Sequence, residues 1–467
     1  MYHSFNIAVK SDEPSFPYFD HAAHCANNLY NAALFRQRQL MTSARKEEKN
    51  YTENEREIRN EFESAIRQMK KSRTIPKKGC VSYVFLEEEM RLTHNPDYYA
   101  EGFPVQTAQL VIRCVCRNMK SFFNAMRAYK ENPSAFTAKP DLPGYKHKGG
   151  ISSFTISNQD CVIRRNAKGH YTAKLPLTKE VLSLGKKIPG KLKEVHVTPV
   201  NGTYQVSFVF DDEIEEPEVT KNAERICAVD FGVENLMAVT NNFGRECLLY
   251  KGGAAKSINQ FYNKRIAEIV SRETRGTTEK FKPTEEYYDL TNRRNNRIHD
   301  LMKKTGKQLI EWCAENRADT IVLGCNRYWK QESHIGHVNN QKFVQIPLSY
   351  LKNVIAWLAE RAGIRVVEQE ESYTSKASFL DRDFIPVYGQ EPEVFRFSGK
   401  RNPRGLYTSE EGIVTNADLQ ASANILRKAY PNAFIEGNEP EFRTIKVIRH
   451  PEYEQVRLNR TKQMETC

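Results

Sequence analysis

Three short stretches of this chain carry carboxylates where carboxylates can do chemistry. Asp230 closes the apolar run ICAVD and is followed by Phe231 and Gly232. An ionised carboxylate in that setting needs a partner, because burying it alone is expensive. A metal ion would serve, and so would the backbone amides of the tight turn that Gly232 permits. Asp418 opens the segment ADLQASANILRK. Capping and the helix dipole favour an aspartate in a first helical turn and account for it without any chemistry. The small Ala417, Ala421 and Ala423 would also let such a helix lie close on a sheet, with Asp418 facing Asp230 across its edge. The third stretch is EQEESYTSKASFLD, with Glu368, Glu370 and Glu371 in four positions. Carboxylates that close repel one another unless water or a cation separates them. Strand alternation puts Glu370 and Glu371 on opposite faces, so at most one of them faces the aspartates. The other choice is that all three point to solvent at a strand end.

Composition limits what surrounds these groups. The chain has 467 residues, which suggests two to four domains, and 39% hydrophobic content, which is adequate for a packed core. Its 70 lysines and arginines against 58 acids leave a net charge of +12, a balance that favours a polyanionic partner, nucleic acid above all. The ten cysteines contain no CxxC pair, which argues against a four-cysteine zinc site. Their scatter reads as reduced thiols of a cytosolic protein. No apolar run approaches the ~18 residues of a membrane span, and MYHSFNIAVKSDE has no signal-peptide core. The expectation is a soluble, cytoplasmic protein without a membrane partner, associated with the nucleoid when bound to DNA.

Periodicity places the elements. Phe5, Ile7 and Val9 alternate as a strand, and Ala22, Ala26, Leu29, Ala33 and Leu40 recur at helical spacing. Residues 43–73 carry dense charge of both signs, as on a solvated helix or helical hairpin. A further helix is predicted across TAQLVIRCVCRNMKSFFNAMRAYK, and strands at Val195–Val197 and Tyr204–Phe210. The helical part thus looks inserted into a β module. From Ile226 the pattern is α/β: strand, tight turn and strand in ICAVDFGVENLMAVT; two helices; the strand DTIVLG; the helix LSYLKNVIAWLAERAG; the strand IRVVEQE; and a last helix, NADLQASANILRKAY.

A strand-end aspartate, a later strand-end glutamate and a helix-borne aspartate form the D–E–D set of RNase H-like nucleases. Two Mg2+ ions about 4 Å apart need several carboxylates to hold and balance them. Hard oxygen donors suit Mg2+. The segments AVDFGVENLMAVT, GCNRYWKQESHIGHVNNQKFVQIP, ESYTSKASFLD and NADLQASANILRK, in that order, resemble TnpB, the transposon-encoded RNA-guided DNA nucleases ancestral to the type V CRISPR effectors. The resemblance is strong from Ile226 to about Tyr430, extends upstream through NPSAFTAKPDLPGYKHK, and in the helical first part is one of layout only. In most of the family the strand matching TIVLG ends in a catalytic glutamate; here Gly324 holds that place, followed by Cys325 and Asn326. A subgroup that this chain resembles moves the glutamate to the ESYTS strand. The resemblance therefore implies Asp230, Glu371 and Asp418 as catalytic metal ligands, and selects Glu371 over Glu370.

It implies further a multidomain α+β architecture. A wedge-like β domain spans 1–12 and 133–220, and a helical recognition domain spans 13–132. A RuvC-like nuclease domain covers 221–371 and 413–467, with a small nucleic-acid-facing insertion at 372–412. Many relatives carry zinc knuckles in that insertion; from Ser372 to Thr415 this chain has no cysteine, and no structural zinc is expected. His334 and His337 with Cys325 make a weak metal pattern. The implied partners are a guide RNA and a double-stranded target DNA, with sequence read by base pairing next to a short flanking motif. Tyr145 beside Lys146 and Lys148 combines a stacking surface with phosphate charge. Arg164, Arg165, Arg293, Arg294 and Arg297 are candidates for tracking a nucleic-acid backbone, and Lys400, Arg401 and Arg404 supply the insertion. Competing expectations are a compact CRISPR-type effector with the same chemistry, a nuclease-dead RNA-guided repressor, and a transposase or junction-cutting nuclease on the same core.

Overall fold

A computed structural model of the chain describes residues 2–71, 73–212, 217, 222–276, 278–325, 345–434 and 439–451. The chain divides into two compact units, Met1–Ile214 and Glu215–Cys467, slightly before the sequence-expected boundary at residue 220.

In the first unit, β1 (Tyr2–Val9) pairs antiparallel with β7 (Thr203–Asp211), with Phe5 opposite Phe208 and Ile7 opposite Val206. β6 (Lys191–Val200) and β2 (Phe154–Ser157) complete this sheet in the order β1-β7-β6-β2. Strands β3 (Val162–Arg165), β4 (Tyr171–Lys174) and β5 (Val181–Gly185) form a second, three-stranded sheet. Helices α1 (Phe16–Ser43), α2 (Glu53–Gln68), α3 (Tyr83–Leu92) and α4 (Val105–Glu131) lie between β1 and β2 in sequence. Their buried side chains, such as Phe19, Phe62 and Ile112, share one continuous core with Val195, Val206 and Phe208 of the sheet. α2 is more than a solvated helix: inside its charged surface Ile58, Phe62 and Ala65 form a buried stripe at helical spacing, and Thr52 with Glu55 closes a capping box at its start.

The second unit is built on a six-stranded sheet ordered β12-β11-β8-β9-β10-β15. Strands β8 (Ile226–Phe231), β9 (Asn235–Asn241) and β10 (Glu246–Lys251) run antiparallel as a meander. β11 (Thr320–Cys325) joins β8 in parallel, and β12 (Arg365–Glu370) joins β11 in parallel at the edge. β15 (Glu441–Ile448) pairs in parallel with β10 at the other edge. Helices α5 (Gly253–Glu273), α6 (Glu285–Glu315) and α7 (Leu348–Arg361) follow the expected order. α6 and α7 cover one face through Met302, Leu309, Leu351 and Ile355, which pack on Val229, Ile321 and Leu323. α8 (Ala417–Ala429) covers the other face, with Ile425 and Leu426 against Ala228 and Val322. Ala417, Ala421 and Ala423 are buried, and Ser422 Oγ donates to the Ala228 carbonyl at 2.8 Å, so α8 lies close on the central strands. Between β12 and α8 sits the small insertion, with the hairpin β13 (Leu406–Thr408) and β14 (Val414–Asn416). Among the described residues no helix is long and apolar enough to cross a membrane.

Candidate active site

The sheet brings Asp230, Glu371 and Asp418 to one edge on the α8 face. Asp230 is the next-to-last residue of β8, in step with Ile226 and Ala228 on that face. Glu371 is the first residue beyond β12, whose ladder ends with Glu370 opposite Cys325. Asp418 is the second residue of α8, whose start is capped by Asn416 accepting from the amides of Asp418 and Leu419 at 3.1 Å each.

The electrostatics tie the three together. Removal from water, and then the charges of Glu371 and Asp418, hold the Asp230 carboxyl well above its ordinary range, against a smaller opposing pull from Arg401. Burial raises Glu371 to about 7, partly offset by the Lys352 ammonium. Its Oε2 is buried and has no hydrogen-bond partner. That oxygen lies over Gly324: a Cβ on Gly324 would stand 2.7 Å from it and 2.9 Å from Ile425 Cδ1. Glu371 therefore fills the space above Gly324.

Its two neighbours in the acidic stretch are committed elsewhere. Glu370 accepts from Lys428 Nζ at 2.6 Å and from the Ser372 amide at 2.6 Å. Burial would raise its carboxyl, but these bonds outweigh that and leave it below the usual range. Glu368 is exposed and pairs with Lys352 at 3.5 Å. Of the adjacent pair, Glu370 is taken up by Lys428 of α8, whereas the charge of Glu371 acts on Asp230.

Asp418 is held by two side chains. Asn235 Nδ2 donates to its Oδ2 at 2.7 Å, and the Arg401 guanidinium pairs with its Oδ1. The sequence suggests Arg401 only as a nucleic-acid contact, and it gives no sign of Asn235 beyond a polar residue at the start of β9. Asn235 Oδ1 is, like Glu371 Oε2, buried without a partner. Among the described residues no three acidic, histidine or cysteine side chains converge tightly enough to hold an ion as they stand. Asp418 turns to Arg401, and Glu371 turns over Gly324. The donor set still suits a hard divalent cation. Three carboxylates, two of them charge-strained and one with a bare buried oxygen, are what such an ion relieves.

The candidate nucleic-acid contacts divide. The Tyr145 ring is exposed, with the Arg38 guanidinium 4.7 Å from its centroid. Lys146 Nζ lies 5.2 Å from the Tyr30 ring centroid, and Lys148 is exposed. The segment carrying them is docked on α1 by Asn31, which bonds both the amide and the carbonyl of Lys146 at 2.8 and 3.1 Å. Arg164 and Arg165 are exposed, and Arg165 folds back onto the Gly169 carbonyl at 3.1 Å. Arg293 and Arg297 are exposed one turn apart on α6. Arg294 departs from the expectation of one arginine face: it is half-buried and bonded to Asn259 and Asn295 at 2.8 Å and to the Gln345 carbonyl at 2.5 Å. The helical period turns it 100° from Arg293, away from solvent. Lys400 and Arg404 are exposed. His334 and His337 lie outside the described residues.

Hydrogen bonds within the insertion and from α8 hold it. Tyr407 is buried and donates to the Lys376 carbonyl at 2.7 Å. Asp383 Oδ2 accepts from the amides of Ser378 and Ser398 at 2.7 and 3.0 Å. Ala377 is buried.

Comparison with known proteins agrees with the sequence reading. Residues 209–329, which span β8 to β11, match the OrfB_IS605 family, described as "Probable transposase". A TnpB-like protein, ORF457 of Acidianus two-tailed virus, is 27% identical over 213 residues, 44% of this chain and 42% of that one. Over these residues the chain is similar to TnpB-like proteins. The aligned stretch spans less than half of that viral relative. Solved structures similar to this chain include a Cas12f1–sgRNA–target DNA complex, at 11% identity and TM-score 0.32 over 91% of this chain and 98% of that one. Another is the mini-RNA-guided endonuclease CRISPR-Cas_phi3, at 9% identity and TM-score 0.42 over 92% of each chain.

Proposed function

We propose that this TnpB-like chain is an RNA-guided, Mg2+-dependent endonuclease that cuts double-stranded DNA beside a short flanking motif. The observation that carries the proposal is the meeting of Asp230, Glu371 and Asp418 at one sheet edge, with a bare buried oxygen on Glu371. In this reading the second unit is a RuvC-like, RNase H-like nuclease domain. The first combines a wedge-like β part and a helical recognition part, and residues 372–412 face the target strand. Bound there, Mg2+ supplies activated water and charge neutralisation at the leaving 3′ oxygen. Asp230 is the central ligand, because both other carboxylates act on it. Glu371 and Asp418 would complete the donor set for the ion, Asp418 giving up its pairing with Arg401. The exposed Arg293, Arg297, Arg164, Lys148, Lys400 and Arg404, with the Tyr145 ring, offer phosphate charge and a stacking face for RNA and DNA.

The test is purification with co-expressed RNA, followed by target DNA bearing randomised flanks and Mg2+. Cutting is expected, and is expected to vanish alike in Asp230→Ala, Glu371→Ala and Asp418→Ala. Cutting that survives Glu371→Ala and is lost in Glu370→Ala would move the third ligand by one residue. Guide-dependent binding without cutting by the native chain would make it an RNA-guided repressor, and absence of copurifying RNA would sink the proposal. A compact CRISPR-type effector shares the chemistry and differs in the source of its RNA.

A further inference from the structure

We infer that Gln420, Asn424 and Lys428, one row along α8 at spacing i, i+4, i+8, are positioning residues that hold Glu371 in place. The inference rests on the metal-site reading above.

Glu371 has an unusual problem. A catalytic glutamate within β11 would be fixed by strand pairing on both sides, whereas Glu371 lies one residue past the last rung of the edge strand β12. Nothing in the ladder sets its backbone. The α8 row supplies what the ladder lacks. Lys428 Nζ donates to Glu370 Oε2 at 2.6 Å and to the Ser372 carbonyl at 3.0 Å, which pins the residues immediately before and after Glu371. It also reaches the Pro386 carbonyl at 3.0 Å. Asn424 Nδ2 donates to the carbonyls of Thr374 and Ala377 at 2.9 and 2.7 Å, and Gln420 Nε2 to that of Ala377 at 2.9 Å. Thr374 returns the link by donating its hydroxyl to the Glu371 carbonyl at 2.8 Å.

The burial of the row argues that this is more than a surface tether. Gln420 and Asn424 are 0% exposed, and the Lys428 side chain is 7% exposed. Buried amides and a buried ammonium are retained at a desolvation cost that apolar side chains would avoid. Here their donors meet the turn that leads into and out of Glu371. The same pairing keeps Glu370 occupied by Lys428, so that one carboxylate of the adjacent pair is left for the ion. α8 thus serves the acidic site twice, with Asp418 in its first turn and the clamp along its length.

The experiment uses the full chain and two readouts, Mn2+ affinity by calorimetry and hydrogen exchange across residues 370–377. Lys428→Met is expected to weaken Mn2+ binding about tenfold and to speed exchange of the Ser372 and Thr374 amides. Lys428→Arg should recover part of both. In a Glu371→Gln background, Lys428→Met should cost no further affinity, because the group it positions is already gone. Gln420→Leu, which keeps the bulk, serves if Lys428→Met fails to fold. Unchanged exchange would overturn the clamp, as would a loss of Mn2+ affinity that adds in full to that of Glu371→Gln. If the native chain binds no Mn2+ while Lys428→Met still loosens 370–377, the clamp stands as geometry and the metal-site reading fails.

Discussion

The Glu371 carboxylate occupies the space that a side chain at Gly324 would take: a Cβ there would come within 2.7 Å of Glu371 Oε2. The two positions are therefore alternatives for one acid. A side chain at 324 and the present rotamer at 371 exclude each other, with Ile425 of α8 closing the third side at 2.9 Å. Gly324→Ala is expected to displace Glu371 and to destabilise the fold by about 1–3 kcal/mol through overpacking. It should lower cutting severely although it removes no functional group. Gly324→Glu combined with Glu371→Ala should retain measurable cutting where Glu371→Ala alone does not. An inactive double variant that folds and binds its RNA would mean that the two positions are not interchangeable.

Arg401 stands as a resident cation at Asp418 and also draws down the Asp230 carboxyl. If the acidic site takes a divalent ion as proposed, that ion displaces it. Arg401→Gln should therefore tighten Mn2+ binding to the nucleic-acid-free chain, by roughly fivefold for an interaction of about 1 kcal/mol. Weaker binding in calorimetry would show instead that Arg401 orders the site for metal.

The acidic site should also govern a pH dependence. Glu371 holds its proton up to about 7 in the folded chain, against 4.5 ordinarily, because burial disfavours its charge. Below the ordinary value both folded and unfolded chains are protonated there, and the shift has no effect. As pH rises towards 7 the unfolded chain releases the proton more readily, and the metal-free fold loses stability. Glu371→Gln should thus gain on the native chain between pH 4 and pH 8, by about 1–2 kcal/mol after allowance for the partly exposed side chain. Metal affinity should run the other way, rising with pH as protons stop competing. Denaturant melts and calorimetry in buffers of different ionisation enthalpy check both.

Much of this is legible in the chain itself, and the exceptions have physical causes. Strand ends and helix starts announce themselves through alternation and small residues, so Asp230 on β8 and Asp418 on α8 can be placed from spacing. The choice between Glu370 and Glu371 cannot be made that way. It depends on Lys428, a lysine near the end of a helix, where the dipole alone would explain its presence. Asn235 and Gln420 are silent because a buried amide has no periodic signature. The stripe of Ile58, Phe62 and Ala65 on α2 is hidden by the charge around it. Composition groups Arg294 with Arg293 and Arg297, although helical phase separates them.

That phase gives the last prediction. Arg293 and Arg297 face solvent on one side of α6, whereas Arg294 bonds Asn259, Asn295 and Gln345 between α5 and the start of α7. If the exposed pair meets phosphates, replacing both by alanine should weaken nucleic-acid binding and lower the salt slope by about 1–2, near one for each phosphate no longer neutralised. The melting temperature should hardly move, because each is solvated and Arg293 has, among the described residues, only an exposed pairing with Asp289. Arg294→Met should do the reverse: it leaves the amide oxygen of Asn259 without its donor and the Gln345 carbonyl with only the longer bond from Asn259, at about 1–3 kcal/mol, and leaves the salt slope unchanged. Equal slopes for all three arginines in a titration between 50 and 300 mM salt would show that α6 presents no phosphate face.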